Sequence, residues 1–273
     1  MSQPDYLAIG HFARDLTPAG STTGGTVAYA GATAWALGFR TAILTSYASD
    51  FVPNVAPARV TIERLQSSET TTFENIYHDG LRTQFVRGCA RRIGPHDVPA
   101  GWKRAPIVHL APIAGELETA LVHCFANSLI GLTPQGWMRE WNAEGRVRAS
   151  YWDEAQAVMP WAAAVVLSDE DVADTAWIDR FRRWARLLVV THGAAGCTVL
   201  MGDEERYIRA PAAREINPTG AGDIFASAFF VRLYQTKGNP WEASRFAYEL
   251  AATSVTGRNL ATKVHRLQAV LQE

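Results

Sequence analysis

The sequence predicts an α/β fold. The expected architecture is one domain over residues 1–273, with a central, mostly parallel sheet flanked by helices and a small β-hairpin lid. Two observations carry this. Short apolar runs alternate with helix-length segments, as parallel crossover units do. The alternation is interrupted once, by two β-rich runs around an Asp-Gly pair at about 70–89, possibly joined by 12–23.

The elements follow in order. Tyr6–Ile9 is a short apolar run stopped by Gly10, a buried strand. Thr26 is a plausible N-cap for an alanine-rich helix over 27–37, with Gly38 as its stop. Thr41–Tyr47 gives the second strand of a crossover unit. Residues 70–77 and 81–89 flank His78-Asp79-Gly80 as a hairpin, either a flap over a site or a plain surface excursion. Strands are expected at 107–110, 128–132, 163–167 and 187–190, and helices at 116–125 and 169–186. A second hairpin pairs 197–201 with 206–210, and helices close the chain at 221–235, 240–256 and 263–271.

Composition narrows the function. Lys plus Arg number 26 and Asp plus Glu 27, so the net charge of −1 supplies no general field for nucleic acid or an anionic membrane. An anion must be held by local groups. Three widely separated cysteines form neither a disulfide framework nor a zinc pair, and a reducing, cytoplasmic setting is the simplest expectation. The longest apolar stretch, 161–167, is far below the ~20 residues of a membrane span.

The sharpest chemical feature is Asn217-Pro218-Thr219-Gly220-Ala221-Gly222-Asp223, a small-residue turn running into a helix on which Phe225, Ala228, Phe229 and Leu233 share a face. A helix start has unpaired N–H groups and a partial positive charge. Glycines around Ala221 let a ligand approach that backbone, so Gly220, Ala221 and Gly222 suit a phosphoryl group. Asp223 is placed to take a proton from an attacking hydroxyl. A first-turn acid favoured by the helix dipole explains Asp223 equally well from this feature alone. The segment 20–26 lacks the Lys of a P-loop, and no GxGxxG, GxSxG, HExxH or EF-hand pattern occurs.

Three segments carry a resemblance that spans essentially the whole chain. NPTGAGDIFASAFF resembles the C-terminal signature of the ribokinase-like (PfkB) carbohydrate kinases, GGTVAYAGATAWALGF their diglycine segment, and VVTHGAAGCTVL their nucleotide-binding strand and turn. Within that family, ETTTFENIY, VVTHGAAGC and NPTGAGD are most similar to myo-inositol kinases.

The resemblance implies ATP-dependent phosphorylation of a hydroxyl on a small sugar or cyclic polyol, with Mg²⁺ on the ATP. A nucleoside kinase and a non-catalytic ATP-binding regulatory protein are the alternatives. It implies Asp223 as general base, with Gly220, Ala221 and Gly222 as anion hole. It places Asp15, Gly24, Gly25 and Tyr29 at the acceptor, and Ser168, Thr191, Gly193, Gly196, Thr219 and Asn259 at the nucleotide. Residues 256–259 would border the adenine.

The sequence departs from the family pattern in three places. Ser168-Asp169-Glu170-Asp171 stands where an Asn-x-x-Glu motif is frequent, which leaves Asp171 to order magnesium waters. Asn217 replaces a frequent Asp that helps bind a monovalent cation, so the need for such a cation stays open. Tyr29 stands where ribokinases carry a substrate-binding Asn, which argues against ribose. Neither nucleic acid nor membrane is an expected partner, and the oligomeric state is left undetermined.

Overall fold

The computed structural model describes residues 2–17, 20–55, 59–78 and 81–272. The chain opens with β1 (Tyr6–Ile9), β2 (Ala13–Thr17), β3 (Gly20–Gly24) and α1 (Thr26–Ala36). Next come β4 (Thr41–Tyr47), β5 (Thr61–Gln66), β6 (Thr72–His78) and β7 (Leu81–Gly88). β8 (Ile107–Leu110), β9 (Leu129–Leu132), β10 (Arg139–Trp141) and β11 (Val147–Ala149) precede α2 (Ala155–Val158). β12 (Ala164–Ser168), α3 (Ala176–Trp184), β13 (Leu188–Thr191), β14 (Gly196–Met201) and β15 (Glu204–Arg209) follow. Three helices finish the described elements: α4 (Ala221–Gln235), α5 (Pro240–Ser254) and α6 (Leu260–Val270).

The main sheet has the order β15-β14-β13-β12-β9-β8-β1-β4-β5. Every pairing from β13 to β5 is parallel, and β14 and β15 add an antiparallel edge. Both faces are covered, which is why the central strands read as unbroken apolar runs. Tyr6 and Ala8 join one core with the residues of α1, α4 and α5, while Leu7 and Ile9 join the other. Helix α4 is apolar nearly all round because it lies between the sheet and its neighbouring helices, so its core contacts extend beyond the single face expected from periodicity.

The strand order reverses at β1: the chain steps to β4 and β5 on one side and to β8, β9, β12 and β13 on the other. In open α/β sheets such a switch point opens a crevice at the carboxyl ends of the strands. The buried Glu116 pins the two loops that leave it. Its carboxylate accepts from His11 N (3.0 Å), Ile113 N (2.9 Å) and Ala114 N (2.8 Å). These bonds hold residues 113–116 as a loop, and only a 3₁₀ turn at Thr119–Cys124 forms where an α-helix over 116–125 is expected.

The lid is larger than a hairpin. It is a four-stranded sheet, β3-β2-β6-β7, with β2 parallel to β6 and the outer pairs antiparallel. The β6–β7 hairpin forms as expected, and its Asp79-Gly80 pair lies outside the described residues. β5 has no apolar run because it is a half-exposed edge strand, which hides it from hydrophobic patterning.

Two further expectations change. Gly25, at φ +89°, is the N-cap of α1, and Thr26 is its first helical residue. The segment 169–186 is not one helix. Ser168 and Asp171 form a reciprocal capping box around a 3₁₀ turn, and Asp174 caps Ala176 N at 2.8 Å, so α3 begins only at Ala176. Short acidic and hydroxyl side chains here bond backbone groups that a continuous helix would use.

Candidate active site

The fold brings the predicted acids Asp15, Asp171 and Asp223 within electrostatic reach of one another from distant parts of the sequence. Asp223 lies in the first turn of α4, after Gly220 in a left-handed conformation at φ +78°. Among the amides that open the helix, Ala221 N donates to Pro218 O (3.0 Å) and Ile224 N to Gly220 O (2.9 Å). Among the described residues, the amides of Gly220, Gly222 and Asp223 make no backbone hydrogen bond. The donor set free for an anion therefore runs from Gly220 through Gly222 to Asp223 and omits Ala221, whose amide is engaged within the turn. A Cβ on Gly222 would meet nothing within 4 Å, so that backbone is open to a ligand.

The Asp223 carboxyl is raised to about 6. Burial is the main cause, and the Thr26 hydroxyl, donating to the carboxylate, opposes it. Asp171 and Asp15 raise it further and Arg139 lowers it. Three carboxylates and one guanidinium thus share one field. A carboxyl near 6 is ionised at neutral pH yet basic enough to accept a proton. Thr26 was not expected at the site. Its place beside the diglycine was the available signal, and the N-cap reading concealed it.

Asp15 lies on β2 against the diglycine. A Cβ on Gly24 would stand 1.9 Å from Asp15 Oδ2, and one on Gly25 2.4 Å from His11 O. Both glycines thus make room for the protein's own β2 and the loop before it. The Tyr29 ring packs on Gly220, and burial, followed by the charges of Asp223 and Asp15, pushes its phenol up.

Three cavities open around this cluster. The largest, about 1090 Å³, is lined by Arg14, Thr22, Tyr29, Asn54, Thr219 and Asn259, among others. The second, about 150 Å³, is mostly apolar and lies beyond Gly222, between Thr191, Gly193, Pro211, Phe225, Ala252 and Val255. The third, about 320 Å³, is polar and faced by Gln135, Arg139, Arg146, Arg148, Ser168 and Asp171.

These cavities separate the expected nucleotide residues. Thr191 and Gly193 border the apolar cavity. Gly196 is buried at the head of β14, where its carbonyl accepts from Tyr248 Oη and His192 N, so it shapes the fold around the pocket. Thr219 and Asn259 face the large cavity instead, and Asn259 also caps α6. The apolar cavity is bordered by the end of α5, and Arg258 and Asn259 border the large one. Asp171 accepts from Ser168 N (3.0 Å) and Gln135 Nε2 (2.7 Å), and Ser168 Oγ accepts from Glu170 N. Among the described residues, no group of three or more His, Cys, Asp or Glu side chains is arranged to hold a metal ion directly.

Comparison with known proteins agrees with this architecture. Residues 164–266 match the model of the pfkB family carbohydrate kinases. A cytidine kinase of Thermococcus kodakarensis is 24% identical over 262 residues, covering 87% of this chain and 91% of the relative. A pyrophosphate-dependent kinase in the ribokinase family, solved with a pyrophosphate analogue and myo-inositol, superposes with a TM-score of 0.82 at 20% identity, over 97% of this chain and 99% of that one. The nucleoside kinase of Methanocaldococcus jannaschii superposes with a TM-score of 0.69 at 16% identity, over 98% and 100%.

The fold is ribokinase-like. Residues 164–266 carry the match to the pfkB family carbohydrate kinases, and the whole chain is similar in fold to ribokinase-family kinases.

Proposed function

We propose that this kinase transfers the γ-phosphoryl group of ATP to a hydroxyl of a small sugar or cyclic polyol, with a myo-inositol-like ring favoured. The observation that carries the reading is Asp223, raised to about 6 and set one residue past the open Gly222 amide. Asp223 accepts the hydroxyl proton as the acceptor oxygen attacks phosphorus. The amides of Gly220, Gly222 and Asp223 stabilise the charge on the transferred group. Thr26 orients the carboxylate, and Asp15 is offered to the acceptor's hydroxyls. The lid strands close over the acceptor and exclude water.

The mostly apolar cavity beyond Gly222 supports a nucleotide donor, because a base stacks on such a surface while its phosphates run to the start of α4. Mg²⁺, when bound, neutralises the donor phosphates; Asp171 would hold it through water, with Ser168 close by. That role suits a site with few direct protein ligands.

A second donor is favoured by a different observation. Arg139, Arg146 and Arg148 face the polar cavity together with Asp171, and such a cluster suits the phosphate oxygens of inorganic pyrophosphate, which has no base to anchor it elsewhere. The relative that superposes with a TM-score of 0.82 is pyrophosphate-dependent. A nucleoside acceptor is the other competing reading, prompted by the cytidine kinase relative.

One assay separates these. Myo-inositol, fructose, ribose, adenosine and cytidine are each incubated with ATP or pyrophosphate, and phosphorylated product is followed by mass. Turnover of a polyol with ATP is expected. Turnover only with pyrophosphate would overturn the donor, and turnover only of a nucleoside would overturn the acceptor.

A further inference from the structure

Lys263 on α6 is fully buried, and its ammonium makes no ion pair among the described residues. Nζ donates to two backbone carbonyls, Asn217 O at 2.5 Å and Ser254 O at 3.2 Å. A buried charge costs a great deal unless it is well solvated by the protein, and an apolar side chain would fill the same space without that cost. Burial holds the ammonium down at about 8, with Glu215 opposing. The positive charge is therefore kept against the tendency of its surroundings.

The carbonyls it gathers belong to two different segments. Asn217 opens the turn that leads to Gly220, and Ser254 ends α5. The same two segments are joined by Ile216 N and Asn217 N, which both donate to Val255 O (2.8 and 3.0 Å), and by Asn217 Nδ2 donating to Arg258 O (2.9 Å). Asn217 Oδ1 in turn accepts from Thr219 N (2.9 Å). The backbone closes tightly over the lysine stem: a Cβ on Gly257 would stand 2.9 Å from Lys263 Cγ. Carbonyl oxygens converging from a turn and a helix end on one positive charge are the kind of ligand set that a bound alkali or ammonium ion takes.

We infer that Lys263 is a built-in monovalent cation: its ammonium ties the turn before Gly220 to the end of α5, fixes the amides that open α4, and leaves phosphoryl transfer independent of any free alkali ion. The inference rests on the proposed role of those amides. Lys263 is a positioning residue, because it reaches the reacting groups only through the Asn217 carbonyl.

The test uses the full chain, with Lys263→Met to remove the charge at similar volume and Lys263→Ala to leave a space. Hydrogen–deuterium exchange should quicken at least tenfold in peptides spanning 216–223 of Lys263→Met and stay unchanged in peptides of β1 and β8. Its kcat should fall at least 30-fold with the acceptor KM within threefold. Propylammonium should restore Lys263→Ala at least tenfold, and 1-propanol should not. Wild-type turnover should be the same in potassium, sodium and tetramethylammonium chloride. Unchanged exchange at 216–223 in Lys263→Met, or a wild-type rate that rises tenfold with potassium, would overturn the inference. If the wild type phosphorylates nothing while Lys263→Met still loosens 216–223, the proposed function fails and the tethering role stands.

Discussion

The ring of Tyr29 fills the space that a side chain on Gly220 would need. A Cβ there would lie 2.3 Å from both Cδ1 and Cε1 of the ring. Helix α1 thus fixes the entrance of helix α4 by direct contact, and Gly220 is required twice over, for that contact and for its φ of +78°. Gly220→Ala should lower stability by about 2–4 kcal/mol, from left-handed strain and the clash together. Thermal unfolding measures the loss, and turnover should fall with it because the α4 amides move.

The rate should depend on pH through Asp223. The carboxylate is the active form of a base, and its value is raised to about 6, so kcat/KM should climb with pH and level off above about 6. Thr26→Val removes the hydrogen bond that lowers this value, so its acid limb should move to higher pH. Asp171→Asn removes a charge that raises it, so its limb should move to lower pH. Rate profiles from pH 4.5 to 8.5 check both directions.

The apolar cavity allows a donor-selective change. Ala252→Phe places a ring in a space of about 150 Å³. It should raise the KM for ATP tenfold or more and leave the acceptor KM within twofold. Initial rates at varied ATP and fixed acceptor read this directly.

Asp223→Asn should be both slower and more stable. Burial raises the folded value above the ordinary 3.8, so the ionised carboxylate costs stability. That cost is absent below pH 3.8, grows between 3.8 and about 6, and is full above it. At pH 7.5 the neutral amide should stabilise the fold by about 1–3 kcal/mol, which calorimetry at pH 7.5 and pH 4 will resolve as a gain that shrinks on acidification.

Much of this was legible in the sequence because it was local. β1, β4 and α4 have the bounds that apolar runs, Gly10 and the turn before Ala221 dictate. Tyr29 and Asp223 stand in family-like segments, and with Asp15 they lie within electrostatic reach of one another. What stayed hidden depended on tertiary partners. β5 is a polar strand with no periodic signal, and it forms because the sheet edge supplies a partner. Thr26 resembled a cap, and only α4 makes it a partner of Asp223. Arg139 lies 84 residues before Asp223, and no spacing rule links the two. Lys263 reads as an ordinary helix lysine until Asn217 and Ser254 are folded against it.

The central claim is that Asp223 takes the acceptor proton at the start of α4. Single-turnover phosphoryl transfer by Asp223→Asn, with donor and acceptor both bound, tests it most directly. The rate should drop about 10²–10⁴-fold with donor affinity within threefold of wild type. A rate within fivefold of wild type would contradict the assignment.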